Sequence, residues 1–182
     1  LVIATAAAGG VGFLAAGYLT PDALAAQIDT VAAAGVAFGV NIFVPGSDIG
    51  DRPALEEYRT ALLPLASRFD VQPGDIVDSD DDAYAEKLRL VIDRRVPLVS
   101  FTFGLPGVGD VARCRDAGIV VVATIADVDD AVRAEALGVD ALCVQGTEAG
   151  GHRATLDVSS APNDLGVLEL LVAVRERVSL PL

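Results

Sequence analysis

The chain has 182 residues, 52 % of them hydrophobic and only 5 % aromatic. That is enough for one domain with a core of small and branched aliphatics. A formal net charge of −13 argues against nucleic acid and anionic membranes as partners, and no apolar run reaches the roughly 20 residues of a membrane span.

Residues 1–8 read as the end of a helix stopped by Gly9 and Gly10. No basic segment or signal core precedes a cleavage site, and the chain has no Met, so Leu1 reads as the edge of a truncated sequence. Residues 12–16 predict a buried strand. Thr20-Pro21-Asp22 supplies an N-cap with Pro at the first helical position, opening a helix to about Ala34. Gly35 ends it, and residues 38–44 form the next strand. Residues 53–69 predict a helix that Pro64 kinks or splits, while residues 71–76 are either a short edge segment or loop. Asp78, Asp80, Asp81 and Asp82 form an acidic loop, read as a solvated connection leading into a helix N-terminus.

Residues 83–95 predict a helix with Leu88, Val91 and Ile92 on one face. A strand over 98–103, a helix over 108–117 and a strand over 119–125 follow. Asp127 caps a helix to Leu137, residues 141–145 form a strand, and a Gly-rich loop leads to a helix over about 165–178. Residues 179–182 look like the entrance to a further strand. Cys114 and Cys143, the two cysteines, match no metal or disulfide spacing and read as buried thiols of a cytoplasmic protein.

Strand and helix thus alternate about five times, which predicts an α/β fold with a parallel sheet. The short αβ joints in "DAGIVVVATI" and "ALGVDALCVQG" favour a (β/α)8 TIM barrel, with about strands 2–6 present and both ends incomplete. A doubly wound open sheet is the competing architecture. No linker divides residues 1–182, which are expected to form a single partial barrel domain.

In either architecture, ligands sit beyond the C-terminal ends of the strands. The residues there are Ala16-Gly17-Tyr18, Asn41, Thr102-Phe103-Gly104, Thr124, and the segment from Gln145 to Arg153. In that last segment, glycines let the backbone approach a ligand and expose N–H donors. It also holds His152, the one histidine of the chain, suited to accepting a proton near neutral pH or donating to an anion. Holding the turn is its alternative role. Asn41 and Gln145 either bind a polar ring or pin neighbouring loops. Glu148 is either a general base or a surface partner of Arg153. No Gly-x-Gly-x-x-Gly opens a helix after a strand, so a dinucleotide fold of that type is unsupported, and no metal-ligand spacing occurs.

"GGVGFLAAGYLTPDAL", "FGVNIFVP", "VSFTFGLP" and above all "VQGTEAGGHR" resemble, in this order, the nitronate monooxygenases, formerly 2-nitropropane dioxygenases. The resemblance implies a (β/α)8 barrel with non-covalent FMN that oxidises small alkyl nitronates, such as propionate 3-nitronate, with O2 to a carbonyl compound and nitrite. By motif it implies that Asn41 and Gln145 hydrogen-bond FMN and that Gly150, with Gly151 beside it, lies against the cofactor. It makes His152 the catalytic histidine, as base or as donor to the nitronate oxygens. It places the first barrel strand ahead of Leu1 and the phosphate-binding segments after Leu182. Ala154 stands where the family pattern carries a further Gly. Two rival readings share these features. One is an FMN-dependent enoyl-acyl-carrier-protein reductase, which has a similar Gly-Gly-His loop and needs NAD(P)H; the other is an inactive barrel fragment.

Overall fold

The computed structural model describes residues 1–46, 51–77, 79–157 and 160–182. The chain forms two compact units, Leu1–Gly46 with Asp82–Leu182, and Ser47–Asp81. Among the described residues no helix is long and apolar enough to cross a membrane.

The first unit is a wall of five parallel strands with helices packed on one side. Its elements are α1 (Val2–Ala7), β1 (Gly12–Ala15), α2 (Pro21–Ala33) and β2 (Phe38–Phe43). Past the second unit, which holds α3 (Arg52–Arg68), come α4 (Tyr84–Asp93), β3 (Leu98–Thr102), α5 (Val108–Asp116), β4 (Val120–Ile125), α6 (Val128–Leu137), β5 (Ala141–Val144) and α7 (Val167–Arg175). The sheet order is β1-β2-β3-β4-β5, each strand pairing in parallel with its successor. This order separates the two architectures that periodicity leaves open. A doubly wound sheet reverses direction at a switch point, whereas here every strand adds on the same side, as in the wall of a (β/α)8 barrel. The wall continues at β5, where the Leu142 amide donates to the Pro181 carbonyl at 2.9 Å.

Alternation along the strands gives the sheet two different faces. One carries Leu14, Val40, Ile42, Val99, Phe101, Val121, Ala123, Ile125 and Leu142, all buried. Leu24, Ile28 and Val31 of α2, Leu88 and Val91 of α4, and Leu170 and Val174 of α7 join them in one core. Helix starts follow the capping residues: Thr20 Oγ1 accepts the Ala23 amide at 3.2 Å, and Asp127 Oδ1 accepts that of Asp129 at 2.7 Å. Gly138, at φ +89°, closes α6 in a conformation that favours glycine.

Three expectations change. β1 is half-buried, not buried, because it lies at the edge of the sheet and exposes Phe13. In the second unit, α3 runs unbroken through Pro64, forgoing only the backbone bond that Pro64 has no N–H to donate. Residues 71–76, open between edge segment and loop, are loop; Arg59 Nε donates to the Gly74 carbonyl at 2.9 Å and ties them to α3. Of the two thiols only Cys114 is buried, while Cys143 alternates with buried Leu142 and is exposed.

Burial, together with the charge of Asp110, pushes the Cys114 thiol up to about 11. The reactive form is the thiolate. Cys114 is therefore expected to stay unmodified by iodoacetamide at pH 8 in the native protein and to react once denatured, as peptide mass mapping will show.

Candidate functional site

The sheet face opposite the helices becomes polar toward the C-terminal ends of the strands. Asn41 on β2 stands in register with Ser100 on β3. Its Oδ1 accepts the hydroxyls of Ser100 and Thr102, each at 2.8 Å. Thr102 Oγ1 also lies 3.2 Å from Thr124 Oγ1 on β4. A hydroxyl has one proton to give, so Thr102 donates to Asn41 and Thr124 donates to Thr102. This chain links three strands and saturates Asn41 Oδ1, while Nδ2 has no partner among the described residues. The amide is thus oriented with its two N–H donors available to a ligand.

Closer to the strand ends lies a row of rings. Phe43, two residues beyond Asn41 on the same face of β2, meets Tyr18 edge-on at 5.6 Å and Phe103 at 4.8 Å between centroids. Phe103 in turn meets His152 at 5.7 Å. Tyr18 and Phe103 both have left-handed backbones, at φ +61° and +69°, uncommon for bulky residues and a mark of sites where the fold enforces a particular side-chain direction. The rings fit because their neighbours are small: a Cβ on Gly17 would collide with the Phe43 ring, and one on Gly104 would lie 2.7 Å from Val44.

The loop after β5 completes the site. Gln145 spans it from inside: its Nε2 donates to the His152 carbonyl at 3.0 Å, and its Oε1 accepts the buried Ala154 amide at 2.7 Å. One N–H and one lone pair of the amide remain. Gly151 has φ +83°, and a Cβ on Gly150 or Gly151 would meet nothing within 4 Å, so the backbone there is open. The His152 side chain is exposed.

Glu148 finds its main partner at the start of α7, a role the sequence did not suggest. Both its carboxylate oxygens accept the Val167 amide, at 3.1 and 2.9 Å, where α7 starts. Hydrogen bonds from its own backbone and from Val167 hold its carboxyl below the usual range, with Arg153 contributing least. That anchors the loop to α7 and makes Glu148 a poor proton acceptor. Gly146 is required beneath it, since a Cβ there would collide with the Val167 nitrogen.

The structure therefore brings Asn41, Thr102 and Thr124 into one network, and Phe103 and His152 into another. Sequence reading missed Ser100 and Phe43, although both alternate in register with residues it had identified. It also missed Lys87, which is fully buried on α4 and paired with Asp82; its position one residue before Leu88 and four before Val91 was the available signal. Asp82 is thus no solvated loop charge, while Asp78 lies outside the described residues.

The profile of the nitronate monooxygenase family matches residues 1–182. Probable nitronate monooxygenases of Staphylococcus aureus and Staphylococcus haemolyticus are 30 % identical over 183 and 184 residues, covering all of this chain and 52 % of each relative. The chain thus spans about half the length of the curated relatives it matches. A nitroalkane oxidase from Streptomyces ansochromogenes superposes with a TM-score of 0.92 at 39 % identity, over 99 % of this chain and 52 % of that one. FabK from Thermotoga maritima, at 22 % identity, shares the fold with a TM-score of 0.69 over 99 % of this chain and 44 % of that one.

Proposed function

Because this chain belongs to the nitronate monooxygenase family, we propose that it forms the catalytic wall of an FMN-dependent oxidoreductase, within a single barrel domain. That enzyme converts small alkyl nitronates, propionate 3-nitronate among them, and O2 into a carbonyl compound and nitrite. The observation that carries this reading is the position of His152. Exposed beside the open Gly150-Gly151 backbone, it ends a row of rings that runs along the strand ends.

The residues present suit FMN. A flat ring system with acceptors and donors on its edge needs oriented polar groups, close backbone approach and apolar surface. Asn41 offers two unengaged N–H donors on an amide whose orientation Ser100 and Thr102 fix. Gly150 and Gly151 offer unobstructed backbone, and Gln145 keeps one N–H beyond its loop contacts. FMN, when bound, supplies electron acceptance from the substrate and delivery to O2.

The remaining work falls to the chain itself. A nitronate arrives with its α-carbon already deprotonated and its charge on the two nitro-group oxygens. In this reading an N–H of the His152 ring donates to those oxygens, stabilising the anion and orienting the carbon. With a neutral nitroalkane, the same ring accepts the α-proton through its free nitrogen. The edge-on contact with Phe103 holds the ring from one side, and the bond from Gln145 to the His152 carbonyl holds its backbone.

The test is O2 uptake by the FMN-supplemented protein given propionate 3-nitronate without NAD(P)H. Rapid nitronate-dependent uptake is expected. NAD(P)H oxidation without nitronate, and no uptake with it, would instead make this barrel an enoyl-acyl-carrier-protein reductase.

A further inference from the structure

The most unusual group outside the residues just described is Lys87. Its side chain has no solvent exposure, and its ammonium lies 2.6 Å from Asp82 Oδ1, on a carboxylate side chain that is 17 % exposed. Burying an ion pair costs several kcal/mol in desolvation, and an apolar pair of similar volume is often as stable. Stability alone is therefore a weak reason for its presence.

A second partner of Asp82 supplies a stronger one. The same Oδ1 accepts the backbone amide of Tyr18 at 2.9 Å, from 64 residues away in sequence. Tyr18 is the residue at φ +61° that begins the ring row, and 81 % of its surface is exposed. Asp82 and Ala83 are themselves left-handed, at φ +51° and +50°, so the turn into α4 is shaped to deliver this carboxylate. The ammonium thus fixes the carboxylate, the carboxylate fixes the Tyr18 amide, and the amide fixes the direction of an exposed ring at the strand ends.

We propose that Tyr18 is a substrate-contacting, specificity-determining residue, and that Lys87 and Asp82 are positioning residues acting through it. The inference rests on the oxidoreductase reading for the identity of the substrate, but not for the positioning.

Two arms test it on the FMN-loaded protein and on the protein without FMN. In Lys87→Met, hydrogen exchange at the Tyr18 amide is expected to quicken about tenfold or more, while amides of β2 and β3 keep their protection. The KM for propionate 3-nitronate is expected to rise about fivefold with kcat within about twofold, as for lost substrate binding. Tyr18→Ala should raise KM similarly, and adding Lys87→Met to it should raise KM no further, because both changes remove one contact. Unchanged Tyr18 exchange, or KM effects that multiply, would overturn the proposal. Should Lys87→Met fail to fold, Asp82→Ala/Lys87→Met removes both buried charges and still strips the amide of its acceptor, with the same exchange result expected. If the parent protein turns over no nitronate, the oxidoreductase reading falls and the exchange arm still decides the positioning; if turnover stands and exchange is unchanged, only this proposal falls.

Discussion

Replacing His152 with alanine is expected to lower nitronate-dependent O2 uptake about 100-fold or more at unchanged flavin content, the loss that follows removal of a positioned proton donor or acceptor. The flavin should stay because the oriented Asn41 amide and the open Gly150-Gly151 backbone do not depend on the imidazole. The fold should stay as well, since the side chain is exposed and packs edge-on against Phe103. The two roles open to His152 separate when substrates are compared. A histidine that only removes the α-proton is needed for neutral nitroalkanes and dispensable for nitronates, which have already lost that proton. One that stabilises the anion is needed for both, and His152→Gln, which keeps an N–H donor, should then recover part of the nitronate rate. Nitronate turnover by His152→Ala at the parent rate would leave His152 only the α-proton of neutral nitroalkanes, and parent rates with both substrates would remove it from the mechanism.

The helices of this wall were legible because their ends are written locally. Thr20-Pro21 and Asp127 act within three residues of themselves, and so does Gly138 at the end of α6. The architecture was less so. Alternation of strand and helix fits two sheet orders, and only the neighbour relations of β1 to β5, or the family resemblance, choose between them. Edge position was invisible too, because the β1 sequence Gly-Phe-Leu-Ala is apolar on both faces and shows no alternation to read. At the site, residue types at strand ends identified Asn41, Thr102, Thr124 and His152. The partners that fix them did not show, since Ser100 reaches Asn41 across 59 residues and Asp82 reaches Tyr18 across 64. A charge such as Lys87 within an apolar stripe is readable as a flag, but its partner is set by three-dimensional packing.

Gln145 gives the second large effect, because one side chain carries two duties. In Gln145→Leu the buried Ala154 amide loses its acceptor and the His152 carbonyl its donor, an expected loss of about 1–3 kcal/mol for the stranded buried amide. A thermal melt of the FMN-free protein measures this term alone. Turnover should fall as well, since the released segment is the one that carries His152. Gln145→Glu refines the assignment: its carboxylate still accepts from Ala154 but faces the His152 carbonyl oxygen with no proton to offer, so the loop should be freed at one end only. FMN then separates the pin from the ligand contact. A cofactor that binds only the folded state adds stability in proportion to its affinity. If the remaining Gln145 N–H holds FMN, the melting-temperature gain from added FMN shrinks in Gln145→Leu beyond what the FMN-free melt accounts for. A full gain would assign Gln145 to the loop alone and leave Asn41, Gly150 and Gly151 as the cofactor contacts of this wall.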